Sequence, residues 1–108
     1  MQSQNVKIVV FVPESHADIV RRAMGDAGAG KIGNYSYCSF STKGIGRFTP
    51  EIGAKPMIGS IGTYEKVDEE RIEFLCERAN LEKVISAMKK VHPYDEVAFD
   101  VCSVEDLR

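Results

Sequence analysis

The sequence predicts an α+β sandwich of six elements in the order βαββαβ, with two helices on one face of a four-stranded antiparallel sheet. Two amphipathic stretches with helical spacing lie between alternating or β-branched strand-like runs. Eight of the nine glycines fall between Gly28 and Gly62, so a loop-rich middle separates two ordinary halves. The length of 108 residues fits one domain, residues 1–108.

The first two elements are a strand and a helix. Lys7–Val12, a continuous apolar run after its lysine, is typical of a strand buried on both faces. Ser15 and Asp18 have the spacing of a capping box for a helix over residues 15–27. Gly28 then stands where the glycine after a helix C-terminus is expected.

The middle of the chain predicts a hairpin. Tyr35–Ser41 is expected to be one strand, Arg47 and Phe48 belong to its partner, and the residues 42–46 are expected to turn between them. A glycine- and proline-containing loop follows. The carboxylates Glu65, Asp68, Glu69 and Glu70 are expected to form a solvated connector.

The last three elements repeat the strand and helix pattern. Arg71–Arg78 alternates between apolar and polar residues, as a half-buried strand does. Asn80 is expected to cap a helix over Leu81–Val91, and Val97–Val104 is expected to be the final strand. The order is therefore that of the split βαβ, or ferredoxin-like, plan.

Composition excludes several classes of function. Fourteen basic residues against 16 acidic ones give a net charge of −2, without the basic stripe that nucleic-acid binding requires. No apolar run approaches the ~20 residues of a membrane span. The cysteines Cys38, Cys76 and Cys102 are far apart and are expected to be reduced and packed inside, which favours a cytoplasmic protein.

Two glycine motifs resemble nucleotide-binding patterns but lack the neighbouring elements or residues that those patterns require. Gly28, Gly30 and Gly33 match GxGxxG, but a helix precedes them where a dinucleotide site needs a strand. The P-loop-like spacing that ends in Gly30-Lys31 continues with Ile32 instead of the hydroxyl residue that binds magnesium. The segment is interpreted as a helix end leading into a tight crossover, with an anion nest beside Lys31 left open.

Two further clusters suggest other chemistry. His92, Asp95 and Glu96 lie close together, and imidazole with carboxylate suits divalent metals. The alternative is that His92 and Pro93 end the second helix. Cys38 is a candidate nucleophile if one of the two histidines, His16 or His92, lies within reach, and otherwise a buried apolar residue.

Three segments carry a resemblance to a known family. GAGKIGNYSYCSFSTKGIGRFTPEIGAKPMIG, GSIGTYEKVDEERIEF and HPYDEVAFDV closely resemble the insertion domain of the Nif-three-like proteins, a dinuclear-metal family often labelled GTP cyclohydrolase I type 2-like. The resemblance covers essentially the whole chain and implies a PII/CutA-like ferredoxin fold. The family's metal site lies in two flanking halves, so the resemblance carries neither that site nor a hydrolase activity to this chain. Tyr37 stands where many relatives are expected to have histidine.

We therefore expect a free-standing module, cytoplasmic and homo-oligomeric, with no enzymatic activity, no cofactor, and no nucleic-acid or membrane partner. Both faces of the first strand carry apolar side chains, which predicts that a second subunit covers the open face of the sheet. The Gly28–Gly62 region is expected to bind a small ligand or a partner protein. The candidate contact residues are Gly30, Lys31, Gly33, Asn34, Tyr35, Cys38, Ser39, His92, Tyr94 and Glu96.

Two alternatives to this function remain open. One is a CutA-like protein that binds a divalent metal such as copper or zinc through His92, Glu96 and Cys38. The other is an enzyme that depends on Cys38 as its nucleophile.

Overall fold

A computed structural model of the chain describes residues 4–105 and residue 107. Its elements follow the predicted order: β1 (Asn5–Pro13), α1 (Ala17–Asp26), β2 (Phe40–Phe48), β3 (Glu65–Glu77), α2 (Leu81–Val91) and β4 (Phe99–Ser103). A single turn of 3₁₀ helix precedes each α-helix, at Glu14–His16 and at Arg78–Asn80.

The four strands form one antiparallel sheet in the order β2-β3-β1-β4. The central strand β1 pairs with β3 from Asn5↔Glu77 to Pro13↔Glu69 and, on its other edge, with β4. β2 pairs with β3 from Phe40↔Glu73 to Phe48↔Glu65. The predicted α+β class and ferredoxin-like plan are confirmed.

One face of the sheet packs on both helices and forms the core. Because side chains alternate along a strand, the core residues of β1 and β3 recur at every second position. This core consists mainly of Val6, Ile8, Val10, Val12, Ile72, Phe74 and Cys76 from the sheet, with Val20, Met24, Val84 and Met88 from the helices. The other face, which we call the open face, carries no helix.

The apolar residue at the centre of β1 on the open face is already buried. Val9 points to that face and is only 4% exposed within the single chain. A second subunit is therefore not needed to bury it, and the expected homo-oligomer stays a prediction.

The end of α1 confirms one prediction from glycine. The N–H of Gly28 donates to the carbonyl of Gly25, and the N–H of Ala29 donates to the carbonyl of Met24. These two bonds form a Schellman motif, which requires a positive φ at Gly28, observed at 112°.

Both predicted helix caps are wrong in detail. Ser15 lies in the 3₁₀ turn, and α1 begins at Ala17 without a side-chain cap bond. Asn80 does precede α2, but its backbone is helical (φ −102°, ψ 0°) instead of extended. An N-cap side chain reaches the first-turn amides from an extended backbone, so Asn80 makes no cap bond.

The predicted central hairpin is wrong. The residues 42–46 do not turn but lie within β2, and the predicted acidic connector is the first half of the 13-residue strand β3. The residues 35–39 are not a strand. Pairing with β3 outweighs the local turn preference of Gly44 and Gly46, because both strands gain a continuous ladder of hydrogen bonds.

Two cysteines also differ from expectation. Cys76 is buried, as predicted, but Cys102 is exposed and Cys38 is half-buried. Cys102 lies on β4, the outer strand of the sheet, and its register partner Lys7 places it on the open face. The expectation that all three cysteines pack inside therefore fails at Cys102 and holds only in part at Cys38.

Candidate functional site

The predicted contact residues fall into two groups at different positions along β3. Gly30 is hydrogen-bonded to Leu75, whereas Tyr94 is hydrogen-bonded to Glu69. The two anchor positions are separated by six residues of strand, or roughly 20 Å at about 3.3 Å per residue. The structure therefore does not bring the predicted residues together into one site.

The first group lies in the crossover segment, residues 28–39, which links α1 to β2. Gly30 donates its N–H to the Leu75 carbonyl at 2.7 Å and accepts from the Cys38 N–H at 2.9 Å. Its φ is +84°, and a Cβ there would lie 2.5 Å from the Cys38 carbonyl oxygen. Gly30 is thus required for close backbone packing at the edge of β3.

A tight turn follows Gly30. Ile32 and Tyr35 exchange two backbone hydrogen bonds across Gly33 and Asn34, and Gly33 supplies the positive φ of 56°. Lys31, Asn34 and Tyr35 are exposed, with Tyr35 exposed over 76% of its surface. These three side chains stand on the surface without a cavity around them in the described residues.

Four backbone amides on either side of Lys31 are already hydrogen-bonded within the chain. The N–H groups of Gly28, Ala29, Gly30 and Ile32 all donate to carbonyl oxygens of the chain itself. A nest binds an anion through free, convergent N–H groups. These four amides are therefore unavailable to a nest, and an anion nest beside Lys31 stays a prediction.

Tyr37 fixes the crossover segment to α1. Its hydroxyl donates to Asp26 Oδ1 at 2.6 Å, its ring fills the space that a Cβ on Gly25 would occupy, and the Arg22 guanidinium lies 5.7 Å from the ring centre. The hydrogen bond to Asp26 and that carboxylate's charge raise the pKa of the Tyr37 phenol. Tyr37 has a positive φ of 59°, which the surrounding contacts hold in place.

Cys38 and Ser39 close the first group. The Cys38 sulfur lies 3.9 Å from the carbonyl oxygen of Ser36. Both histidines are engaged elsewhere: His16 Nδ1 lies 2.8 Å from the Ser15 hydroxyl, and His92 contacts Phe11. The base that a nucleophilic Cys38 requires is not supplied by these contacts, and the enzyme alternative stays a prediction.

The second group lies at a cleft on the open face, near the end of β2. The cleft has a volume of about 340 Å³ and separates the strands from the loop after β2 and from the segment after α2. We call it the open-face cleft; it is lined by Phe11, Gly46, Arg47, Phe48, Thr49, Pro50, Glu51, Ala54, Pro56, Met57, Ile58, Glu69, Tyr94, Asp95, Glu96 and Ala98. Of the predicted contact residues, Tyr94 and Glu96 belong to it.

A hydrogen-bonded carboxylate forms the floor of the open-face cleft. Glu69 is only 8% exposed, and its Oε2 accepts the Tyr94 hydroxyl at 2.8 Å. The other oxygen, Oε1, occupies the space that a Cβ on Gly46 would take. Burial, the bond to Glu69 and the charge of Glu69 all raise the pKa of Tyr94, so the phenol remains a donor at neutral pH.

Two further contacts shape the walls. The Phe48 ring meets the Tyr94 ring edge to face, with 5.8 Å between centroids. Asp95 Oδ2 accepts the backbone N–H of Lys55 at 3.0 Å, which joins the loop after β2 to the segment after α2. The walls are thus held by contacts within the chain.

His92 is buried below the cleft, where it holds β1 against the end of α2. Its Nε2–H donates to the Phe11 carbonyl at 2.8 Å, and its Nδ1 accepts the Tyr94 N–H at 3.1 Å. This pair of bonds requires the neutral Nε2–H tautomer. Burial lowers the pKa of His92 below 6.5, against the opposing effects of the Phe11 carbonyl and Glu69.

The predicted metal ligands do not fit a metal ion as they are arranged. Both nitrogens of His92 are occupied by hydrogen bonds, and a metal ligand must offer a free lone pair. Over residues 4–105 and at residue 107, no group of three or more histidine, cysteine, aspartate or glutamate side chains is placed to hold a metal. Metal binding through His92, Glu96 and Cys38 stays a prediction.

Glu69, Gly46 and Phe48 help to form the cleft but were not among the contact residues predicted from the sequence. The available signal was the pair of glycines 44 and 46 in an otherwise strand-compatible run. A glycine inside a strand often marks the close approach of another group. Here that group is the Glu69 carboxylate, which the sequence alone placed in a solvated connector.

The chain resembles known proteins over most of its length. The chain is 54% identical over 95 residues to the GTP cyclohydrolase 1 type 2 homolog of Halalkalibacterium halodurans, covering 88% of this chain and 26% of that protein. For the Bacillus subtilis homolog the identity is 50% over 99 residues, covering 92% and 26%. The crystal structure of a Bacillus cereus protein related to NIF3 superposes with a TM-score of 0.84 at 47% identity, covering 98% of this chain and 27% of that one.

The chain is similar to one segment of the NIF3-related proteins. It spans about a quarter of the length of the curated relatives that it matches. The predicted resemblance to the Nif-three-like family is confirmed at the level of this segment. No family model matches the chain.

More distant structures show the fold alone. CutA1 from Shewanella sp. SIB1 superposes with a TM-score of 0.71 at 11% identity, covering 98% of this chain and 86% of that one. Bacillus subtilis GlnK gives 0.60 at 10% identity, with coverage of 94% and 84%. The predicted PII/CutA-like fold is confirmed. Within the described residues, no helix has the length and apolarity to cross a membrane.

Proposed function

We propose that the NIF3-like segment is a small binding module, and that the open-face cleft is where it binds a small ligand or one side chain of a partner protein. The observation that carries the proposal is the cleft itself, a concave site of about 340 Å³ with apolar walls and a buried carboxylate and phenol at its floor. Ligand sites in proteins commonly combine apolar walls with a few placed polar groups.

The open-face cleft lies partly within the Gly28–Gly62 region that was expected to bind, and it restricts binding to one part of that region. The loop after β2 belongs to the Gly28–Gly62 region, and it supplies the cleft residues 49–58 apart from positions 52, 53 and 55. The first part of the crossover segment, in contrast, is closed by its own hydrogen bonds, and the hollow beside Tyr37 and Ser39 is lined otherwise by charged side chains of α1 and not by apolar walls. The proposal therefore places binding at the second half of that region.

The proposal is for binding and not for catalysis. The polar groups at the cleft floor are hydrogen-bonded to each other, and the raised pKa of Tyr94 keeps this phenol protonated at neutral pH, where it cannot accept a proton. A general base needs a pKa near the working pH.

The test is a ligand-observed NMR screen of small metabolites of all charge types, with a variant that fills the cleft. Ala98 lines the cleft and lies on the open face beside Phe11. Ala98→Phe is expected to abolish the binding signals of wild-type protein. Ala79→Phe adds the same ring at an exposed position outside the cleft lining and is expected to retain them.

Two results would contradict the proposal. One is that the screen finds no binder for the folded wild-type chain at concentrations up to about 10 mM, where even millimolar Kd values give signals. The other is that ligands bind Ala98→Phe as tightly as wild type.

A further inference from the structure

We propose that the open-face cleft selects a cationic nitrogen carried on a flat apolar body, either as a free amine or guanidine or as a basic side chain of a partner. This inference rests on the proposed function and adds the chemical class of the ligand. Three observations support it: the excess of carboxylates in the lining, the hydrogen bonding of Glu69 and the apolar side chains of the walls.

The charge of the lining is negative. Apart from the Tyr94 phenol, its ionisable side chains are four carboxylates, Glu51, Glu69, Asp95 and Glu96, and one guanidinium, Arg47. Arg47 alternates with Gly46 and Phe48 along β2, so its Cβ lies on the opposite side of the strand from theirs, although the residue still lines the cleft. With four carboxylates against one guanidinium, the lining would repel an anionic ligand and attract a cation.

Glu69 places one of these carboxylates at a definite position, the floor of the cleft. Among the described residues, the Tyr94 hydroxyl is the donor to Oε2, and no donor reaches Oε1. An ionised carboxylate can accept about four hydrogen bonds and is costly to bury with fewer. No fully buried side-chain oxygen or nitrogen of the described residues lacks a partner, so Oε1 must keep some contact with solvent, and Glu69 lines both the open-face cleft and an adjoining cavity that includes Arg71. A ligand N–H or N⁺–H would satisfy it.

The walls suit an apolar or aromatic body. The apolar lining includes Phe11, Phe48, Pro50, Pro56, Met57 and Ile58. The rings of Phe48 and Tyr94 meet at 64°, and aromatic faces attract cations as well as flat apolar groups. The volume of about 340 Å³ is near the lower end of the roughly 300–1,000 Å³ of common ligand sites, which favours a small ligand.

The experiment compares three phenylalkyl probes of similar size that differ in charge. ¹⁵N-labelled protein is titrated at pH 7 with 2-phenylethylamine, 2-phenylethanol and 3-phenylpropanoate, and amide shifts are followed at the cleft. The amine is expected to bind at least about tenfold more tightly than the other two, a preference equal to about 1.4 kcal/mol. Added salt is expected to weaken binding of the amine only modestly, because Glu69 is buried.

Two variants test the role of Glu69. Glu69→Gln retains an oxygen for the Tyr94 hydroxyl but removes the charge, and it is expected to reduce the preference for the amine at least fivefold. Glu77→Gln removes a charge from the same face of β3 outside the cleft lining and is expected to change nothing. If Glu69→Gln does not fold, Glu51→Gln/Glu96→Gln removes two rim charges without touching the floor and is expected to lower the same preference.

A fourth probe distinguishes the two sources of the cation. Acetyl-Phe-Arg-amide carries the same chemistry within a peptide, and tighter binding than 2-phenylethylamine would assign the cation to a partner's side chain. Equal or tighter binding of the alcohol or the carboxylate would overturn the inference while leaving the cleft as the binding site. No shift with any probe, in protein whose metabolite screen is also empty, would overturn the inference and the proposed function together.

Discussion

The crossover segment and the open-face cleft are both glycine-containing irregular regions, yet they use glycine in opposite ways. At the junction of α1 and the crossover, the space beside Gly25 of α1 is filled by the Tyr37 ring, that beside Gly28 by Asn80, and that beside Gly30 by the Cys38 backbone. At the cleft, Gly46 makes room for a carboxylate, and the loop beyond it stands away from the sheet to leave a cavity. Glycine density alone therefore does not distinguish a packed junction from a binding site.

The comparison is tested most strongly at two glycines of the crossover segment. Gly30→Ala is expected to destabilise the chain by about 3 kcal/mol, because it adds a Cβ against the Cys38 backbone at positive φ. Gly33→Ala, with positive φ but nothing within 4 Å of its Cβ, is expected to cost about 1 kcal/mol. Urea unfolding of both variants gives the two free energies. Equal losses would show that Gly30 is not packed as described.

The second test concerns the floor of the cleft. Tyr94→Phe removes the donor to the buried Glu69 carboxylate and is expected to lower the free energy of unfolding by about 2 kcal/mol. The matched control is Tyr35→Phe, which removes a hydroxyl from an exposed side chain and is expected to change stability by less than about 0.5 kcal/mol. Thermal and urea unfolding measure both. A Tyr94→Phe protein as stable as wild type would mean that Glu69 is adequately solvated without the phenol.

The third test uses pH. Because burial lowers the pKa of His92, the unfolded chain binds the proton more readily than the folded chain does. The stabilising contribution is therefore complete above about pH 6.5 and is lost as the pH falls through the lowered value, with a slope of at most about 1.4 kcal/mol per pH unit. Urea unfolding between pH 7.5 and pH 5, at intervals of about half a unit, is expected to show this slope.

His92→Gln is the variant for that series. It keeps a side-chain N–H for the Phe11 carbonyl but cannot titrate, so the slope is expected to flatten. His16→Gln is the control and is expected to retain most of it, since His16 has only a minor effect on the pKa of His92. A slope that persists in His92→Gln would assign the pH dependence to other groups.

The smallest effect is expected at Lys31. The side chain is exposed, and the neighbouring amides donate within the chain. Lys31→Ala is therefore expected to change stability by less than about 0.5 kcal/mol and to change ligand affinity less than about twofold. Ligand titration of the variant measures the second value. A loss of binding tenfold or greater would return the site to the crossover segment.

The differences between sequence and structure have a common physical cause. The helices, β1 and the glycine after α1 were predictable, because hydrophobic spacing and the C-terminal glycine act within a few residues. The hairpin was not, since Gly44 and Gly46 favour a turn locally, and only their pairing with β3 makes them a strand. His92 and Tyr94 were recognised from a dense polar cluster, but their partners Phe11 and Glu69 lie far away in the sequence.

The central claim is that the cleft, and not the crossover segment, binds the ligand. Chemical-shift mapping of ¹⁵N-labelled protein with the tightest binder from the metabolite screen tests it most directly. The largest shifts are expected at the amides of residues 46–58 and 94–98, with little change over residues 30–39. Saturable shifts centred on residues 30–39, with the cleft amides unmoved, would contradict the claim.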